Sequence, residues 1–100
     1  MKFCIDIDNT ICSQERDYTK AKPFKERIKK INRLYDEGNH ITYHTARGTK
    51  SGIDWKNITT GQLYRWGCKY HSLIMGKPEA DVFVDDRGCN SKDFFKDLKQ

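Results

Sequence analysis

Apolar and polar positions alternate through Lys2-Phe3-Cys4-Ile5-Asp6-Ile7, the two-residue period of a half-buried strand. The period then lengthens. Phe24, Ile28, Ile31 and Leu34 or Tyr35 recur at helical spacing, with Pro23 placed to start the helix and Gly38 to end it. Ile41-Thr42-Tyr43-His44 returns to a short strand. Thr59 and Gln62 have the spacing of a capping box ahead of Leu63, Tyr64 and Trp66, and Gly67 closes that helix. Leu73-Ile74-Met75 and Val82-Phe83-Val84 read as further short strands. Ser91 is placed to cap a last helix carrying Phe94, Phe95 and Leu98. Strands alternating with helices predict an α/β fold, a three-layer α/β/α arrangement on a parallel sheet with right-handed crossovers. The aromatic and aliphatic stripes are core, and no repeat, low-complexity stretch or linker interrupts residues 1–100, which predicts a single domain.

Composition narrows the picture. With 100 residues, 36% hydrophobic and 12% aromatic, the chain can build one modest core and no second domain. A mean hydropathy of -0.89 and the lack of any apolar run near the roughly 20 residues that span a bilayer predict no membrane segment. The chain opens directly on a strand, without the apolar core of a secretory leader, so the expected location is cytoplasmic. Cys4, Cys12, Cys68 and Cys89 include no C-x-x-C pair, which favours reduced thiols over disulfides. His40, His44 and His71 do not combine with them at zinc-site spacings.

Net charge is +5, from 19 basic and 14 acidic residues. Lys20, Lys22, Lys25, Arg27, Lys29, Lys30 and Arg33 concentrate around the first helix. Such a stripe could attract nucleic acid or an anionic substrate. Without interleaved aromatic residues for base stacking, a solvated helix face is favoured.

The chemistry lies at strand ends. Asp6 and Asp8 are separated by one residue, so on a strand they project to one side while Ile5 and Ile7 project to the other. Like charges this close need a cation or a proton between them. The alternative is an Asp-Asn-Thr turn in which Asp8, Asn9 and Thr10 only satisfy backbone groups. Asp85 and Asp86 repeat the pattern after Val82-Phe83-Val84, and a parallel sheet would bring these carboxylates to the edge where open α/β sheets bind ligands. An oxygen-rich set of this kind suits Mg²⁺. Thr45, Ala46 and Arg47 follow the second strand, a hydroxyl, free N–H groups and a guanidinium fork suited to a phosphoryl oxygen. Lys77, in Gly76-Lys77-Pro78, is placed to neutralise the acidic cluster.

The ordered set Asp6-Ile7-Asp8-Asn9-Thr10, Thr45, Lys77 and Asp85-Asp86 resembles the motifs of the haloacid dehalogenase (HAD) superfamily of phosphohydrolases over about Lys2 to Asp86. Ile58 to Asp86 looks like small phosphatases of capsule and polysaccharide biosynthesis. The resemblance implies a Rossmann-like fold and a phosphatase mechanism in which Asp6 is the nucleophile and forms an aspartyl phosphate. Asp8 would protonate the leaving alcohol and then activate water. Mg²⁺ would be held by Asp6, the main-chain carbonyl of Asp8 and Asp85, with Asp86 and Thr10 supporting the site. Thr45 and Lys77 would bind the phosphoryl group, and backbone N–H groups near Asn9 and Ala46 would complete its cradle. Arg47, with Tyr18 and Lys20, would contact substrate, while Trp55 would line the entrance or anchor a loop. Larger members carry a cap, for which residues 11 to 22 and 46 to 58 are too short. The implied substrate is a small phosphorylated metabolite, a sugar or polyol phosphate. A nucleotide or polynucleotide phosphatase is the alternative within the superfamily, because Asp85-Asp86-Arg87 also resembles the fourth motif of polynucleotide end-healing phosphatases. A noncatalytic phospho-ligand module is the alternative outside enzymes.

Overall fold

Lys2–Asp6 forms β1, His40–Thr45 forms β2 and Ser72–Met75 forms β3, and the three pair in parallel in the order β1-β2-β3. The structure is a computed structural model that describes residues 1–78 and 80–98. Helix α1, Lys25–Asp36, connects β1 to β2; α2, Lys56–Arg65, connects β2 to β3; and the short α3, Ser91–Phe94, follows. The result is an open Rossmann-like α/β sheet. Among the described residues no cap interrupts it. The stretch after β1 holds only a three-residue 3-10 turn, Tyr18–Lys20, and the stretch after β2 has no regular element before α2.

Alternation along the strands sorts the two faces of the sheet. Ile5, Ile41 and Tyr43 are buried and join Ile28 and Ile31 of α1, Leu63 of α2 and Phe95 in one core. The other face carries Cys4, Thr42, His44 and Ile74, which are half-buried or exposed. That face is therefore more open than in parallel sheets covered on both sides, whose strands read as continuous apolar runs.

Both long helices end by the same device. Gly38 has φ 95° and Gly67 φ 70°, and the N–H groups of Gly38 and Asn39 return to Tyr35 and Leu34 as those of Gly67 and Cys68 return to Tyr64 and Leu63. This is a Schellman closure, in which only glycine adopts the left-handed residue without strain.

Several element boundaries differ from the sequence reading. α1 begins at Lys25 behind Phe24, because Pro23 bridges to Cys12. Thr59 and Gln62 are no capping box: α2 starts at Lys56, so both sit inside the helix and are buried. Asn90, not Ser91, caps α3, its side chain accepting from the N–H of Lys92. Val82, Phe83 and Val84 form no strand and are exposed by 73%, 55% and 95%. A β-branched run needs a paired neighbour and a buried face to become a strand, and this one has neither.

The basic residues of α1 divide by role. Arg27 stacks on Phe24 and Phe95 and Lys30 reaches Asp97 and the Phe94 ring, so both fasten the C-terminal turn. Lys25, Lys29 and Arg33 are exposed, as the solvated-face reading expects. Among the described residues no helix is long and apolar enough to cross a membrane.

Candidate functional site

β1 ends at Asp6 and the chain turns at once. The N–H groups of Thr10 and Ile11 both bond to the Ile7 carbonyl, Asn9 bonds to the Cys12 carbonyl, and Asn9 adopts φ 63°, a left-handed conformation that asparagine tolerates better than most residues. The turn holds Asp8 just beyond Asp6 while Ile7 and Ile11 remain fully buried beneath them. The Asp-Asn-Thr turn and the paired carboxylates are thus one structure.

The register puts Asp6 beside His44 and Thr45 beside Met75, so the residues after β1, β2 and β3 emerge along one edge. Lys77 is secured there by its backbone, its N–H donating to the Thr45 carbonyl at 2.9 Å and its carbonyl accepting from Thr49 Oγ1 at 3.0 Å. Its ammonium lies 3.6 Å from Asp6 Oδ2 and 4.1 Å from the centre of the Phe83 ring. The Asp6 side chain is 38% exposed and that of Lys77 18%, which leaves this pair open to an incoming ligand. His44 stands next to them, its pKa pushed below the usual 6.5 by burial and then by the Lys77 charge.

Thr45 is 1% exposed and its hydroxyl oxygen accepts the N–H of Arg47 at 3.0 Å. It therefore shapes the turn and presents little surface. Ala46 is half-buried in that turn, whereas Asn9 is exposed and Thr10 half-buried in theirs. The Thr10 carbonyl accepts from Arg27 at 3.0 Å.

Arg47, expected to contact substrate, turns its side chain inward. Its side chain has no exposed surface. Nε donates to Asp8 Oδ2 at 2.9 Å, Nη2 to Asp8 Oδ1 at 2.8 Å and to Cys12 Sγ at 3.9 Å, and Nη1 to Thr59 Oγ1 at 3.1 Å and Gln62 Oε1 at 2.6 Å. A guanidinium has five N–H donors, and these bonds engage all of them. Sequence reasoning missed Thr59, Gln62 and Cys12 as parts of this centre. The available signal was two polar residues three apart on a helix whose inward face lacks an apolar stripe. The Cys12 thiol is fully buried and its pKa is pushed up to about 12 by burial and then by the Asp8 carboxylate, the setting of a packing thiol that donates weakly.

Tyr18 covers this centre. Its ring lies 4.8 Å from the Arg47 guanidinium carbon, its carbonyl accepts from Gln62 Nε2 at 2.6 Å, and Trp55 meets it edge to face at 4.9 Å. Lys20 is exposed. Trp55 both anchors the loop and lines a shallow depression of about 250 Å³ with Arg47, Gly48, Thr49, Ile53, Asp54, Met75 and Gly76. The depression is bounded by the residues that follow Thr45 and precede Lys77.

Asp85 and Asp86 are not brought to Asp6 and Asp8 as a cluster. Both are exposed; Asp85 accepts the N–H of Arg87 at 2.7 Å, which lowers its pKa, and Asp86 lies 3.9 Å from Arg87. Among the described residues no group of three or more His, Cys, Asp or Glu is placed to hold a metal ion. The strand expected to deliver Asp85 to the set of Asp6, the Asp8 main-chain carbonyl and Asp85 does not form among the described residues.

No family model and no curated protein matches the chain. The fold is similar to that of a crystal structure determined for a structural-genomics target of Vibrio cholerae, with TM-score 0.85 and 24% identity, covering 93% of this chain and 85% of that one. This likeness shows the fold.

Proposed function

We propose that the chain is a phosphatase of the haloacid dehalogenase type, hydrolysing a small phosphomonoester in the cytoplasm through an aspartyl phosphate on Asp6. The observation that carries the reading is the Lys77 ammonium 3.6 Å from an Asp6 carboxylate that is itself 38% exposed. A free carboxylate oxygen serves as nucleophile, and a lysine beside it balances charge on the transferring phosphoryl group.

In the first displacement, which Asp8 enters carrying one proton, an Asp6 oxygen forms a bond to phosphorus as the ester P–O bond breaks, and the leaving oxygen takes that proton, leaving Asp8 as the carboxylate paired with Arg47. In the second, Asp8 takes a proton from water, the oxygen of that water bonds to phosphorus, and the Asp6 acyl phosphate is cleaved to free phosphate and carboxylate. The Asp8 side chain is 15% exposed. Oδ2 accepts a principal bond from Arg47 Nε, and a carboxylate oxygen has a second lone pair to carry the proton. The Mg²⁺ requirement comes from the motif resemblance. Because the residues do not fit the ion as they stand, no step above depends on it.

The motif resemblance points to a sugar or polyol phosphate, which the open depression beside Trp55 has room to seat. A polynucleotide end is less favoured, since the exposed Lys25, Lys29 and Arg33 of α1 have no interleaved aromatic residues on which bases could stack.

Phosphate release from sugar phosphates, polyol phosphates, nucleotides and 3′-phosphorylated oligonucleotides, with Mg²⁺ or EDTA, tests the reading. Asp6→Asn is expected to lower turnover at least ~10³-fold. Equal, negligible release by wild type and Asp6→Asn across the panel would leave the noncatalytic phospho-ligand module. Fastest turnover on the oligonucleotide would make the chain a polynucleotide phosphatase.

A further inference from the structure

We infer that Arg47 is the positioning residue of the reaction: it fixes the Asp8 carboxylate, and Thr59, Gln62 and Tyr18 in turn fix Arg47. The inference rests on Asp8 acting as acid and base in the proposed hydrolysis.

Three observations carry it. The contact is a fork, Nε to Oδ2 at 2.9 Å and Nη2 to Oδ1 at 2.8 Å, which sets the plane of the carboxylate as well as its distance. The fork is held from behind, because Thr59 and Gln62 occupy Nη1 and Tyr18 stacks over the guanidinium. Finally, the arrangement is poorly explained by stability alone. Burying a charge of this kind carries a desolvation penalty, and well-packed apolar residues of similar volume often stabilise as well or better. A surface pair would have avoided the penalty. What the buried fork adds is a carboxylate whose direction cannot drift while one edge stays accessible.

Direction matters for Asp8 in a way it does not for a binding group. Proton donation helps only within hydrogen-bond reach of the leaving oxygen, where it contributes about 10²- to 10⁴-fold, and a displacement near 1 Å can remove about 10²-fold. The same network ties Asp8 to the loop after β1. The Tyr18 carbonyl is bound by Gln62 and Trp55 closes against the Tyr18 ring, so the loop that covers the site and the acid that acts in it share one anchor.

The leaving group separates positioning from mere structure. An alkyl phosphate needs a proton on its departing alkoxide, whereas p-nitrophenyl phosphate releases a stable phenolate without one. Arg47→Lys keeps the charge and loses the fork. It is expected to lower kcat/KM on an alkyl phosphate by about 10²- to 10³-fold and on p-nitrophenyl phosphate by about 10-fold or less. A general loosening of the fold would lower both by one factor, and an unchanged ratio between the substrates would overturn the inference. Should Arg47→Lys not fold, the double variant Thr59→Val, Gln62→Met leaves Arg47 in place with Nη1 unsupported, and the same change of ratio is expected from it. Absence of wild-type turnover on both substrates and across the phosphomonoester panel would instead remove the phosphatase reading and, with it, this role for Arg47.

Discussion

His44 shows how a single residue reports on its surroundings. It lies across from Asp6 in the sheet, and its pKa is lowered, first by burial and second by the Lys77 charge, with Asp6 opposing. The folded protein thus binds the His44 proton less readily than the unfolded chain. Stability from this source is complete above about 6.5 and declines as pH falls through that value, since the unfolded state then takes up more protons than the native one. Thermal melts of wild type should therefore shift downward between pH 7.0 and 5.5, and His44→Gln should show a smaller shift. An identical shift in the variant would mean that His44 is not the group responsible. The meeting of Asp6 with Lys77 was legible at this scale, because residues at and just beyond the ends of parallel strands emerge along one edge. Arg47 was not. A basic residue after a strand reads the same in sequence whether it faces a ligand or is buried, and only the long-range meeting with Thr59 and Gln62 decides.

At the scale of elements, the loop between β2 and α2 depends on Gly48. It has φ 79°, and a Cβ added there would stand 2.1 Å from the Ile53 carbonyl oxygen. Gly52 in the same loop has φ 74° with nothing within 4 Å of an added Cβ. Both substitutions by alanine incur the left-handed backbone penalty of about 1 kcal/mol, but only Gly48→Ala also displaces backbone. Urea denaturation should find Gly52→Ala destabilised by about 1 kcal/mol and Gly48→Ala by at least about 2 kcal/mol. The clash falls on the segment carrying Trp55, so the depression beside it should be lost as well. Equal effects would show that the loop yields freely. The same loop explains why α2 was misread. Thr59 and Gln62 carry the sequence pattern of a helix start, yet the helix had already begun at Lys56. Their polarity serves a buried guanidinium, a demand set by a residue twelve to fifteen positions earlier.

Across the whole molecule, the order of strands and helices could be read because each βαβ step is local and its handedness is nearly fixed. Val82-Phe83-Val84 marks where that logic ends. The segment has strand composition, and β1 pairs with β2 alone, so composition and an open sheet edge both invited a fourth strand. In the structure all three residues are exposed, Val84 by 95%, and what holds the segment nearby is the Phe83 ring on Lys77. The two arrangements differ measurably. If Val84 faces water, Val84→Lys removes no packing and should alter stability by no more than about 0.5 kcal/mol. If the segment were a packed strand with Val84 on its buried face, the same change would place a charge in the core and lower stability by several kcal/mol. Chemical denaturation of Val84→Lys beside Ile31→Ala, a core truncation expected to lose about 2 to 5 kcal/mol, gives the comparison an internal scale. A loss for Val84→Lys as large as that for Ile31→Ala would return the segment to the sheet edge, and Asp85 with it toward Asp6. A negligible loss would leave the Asp6–Lys77 pair and the Arg47-held Asp8 as the parts of the site that the folded chain builds unaided.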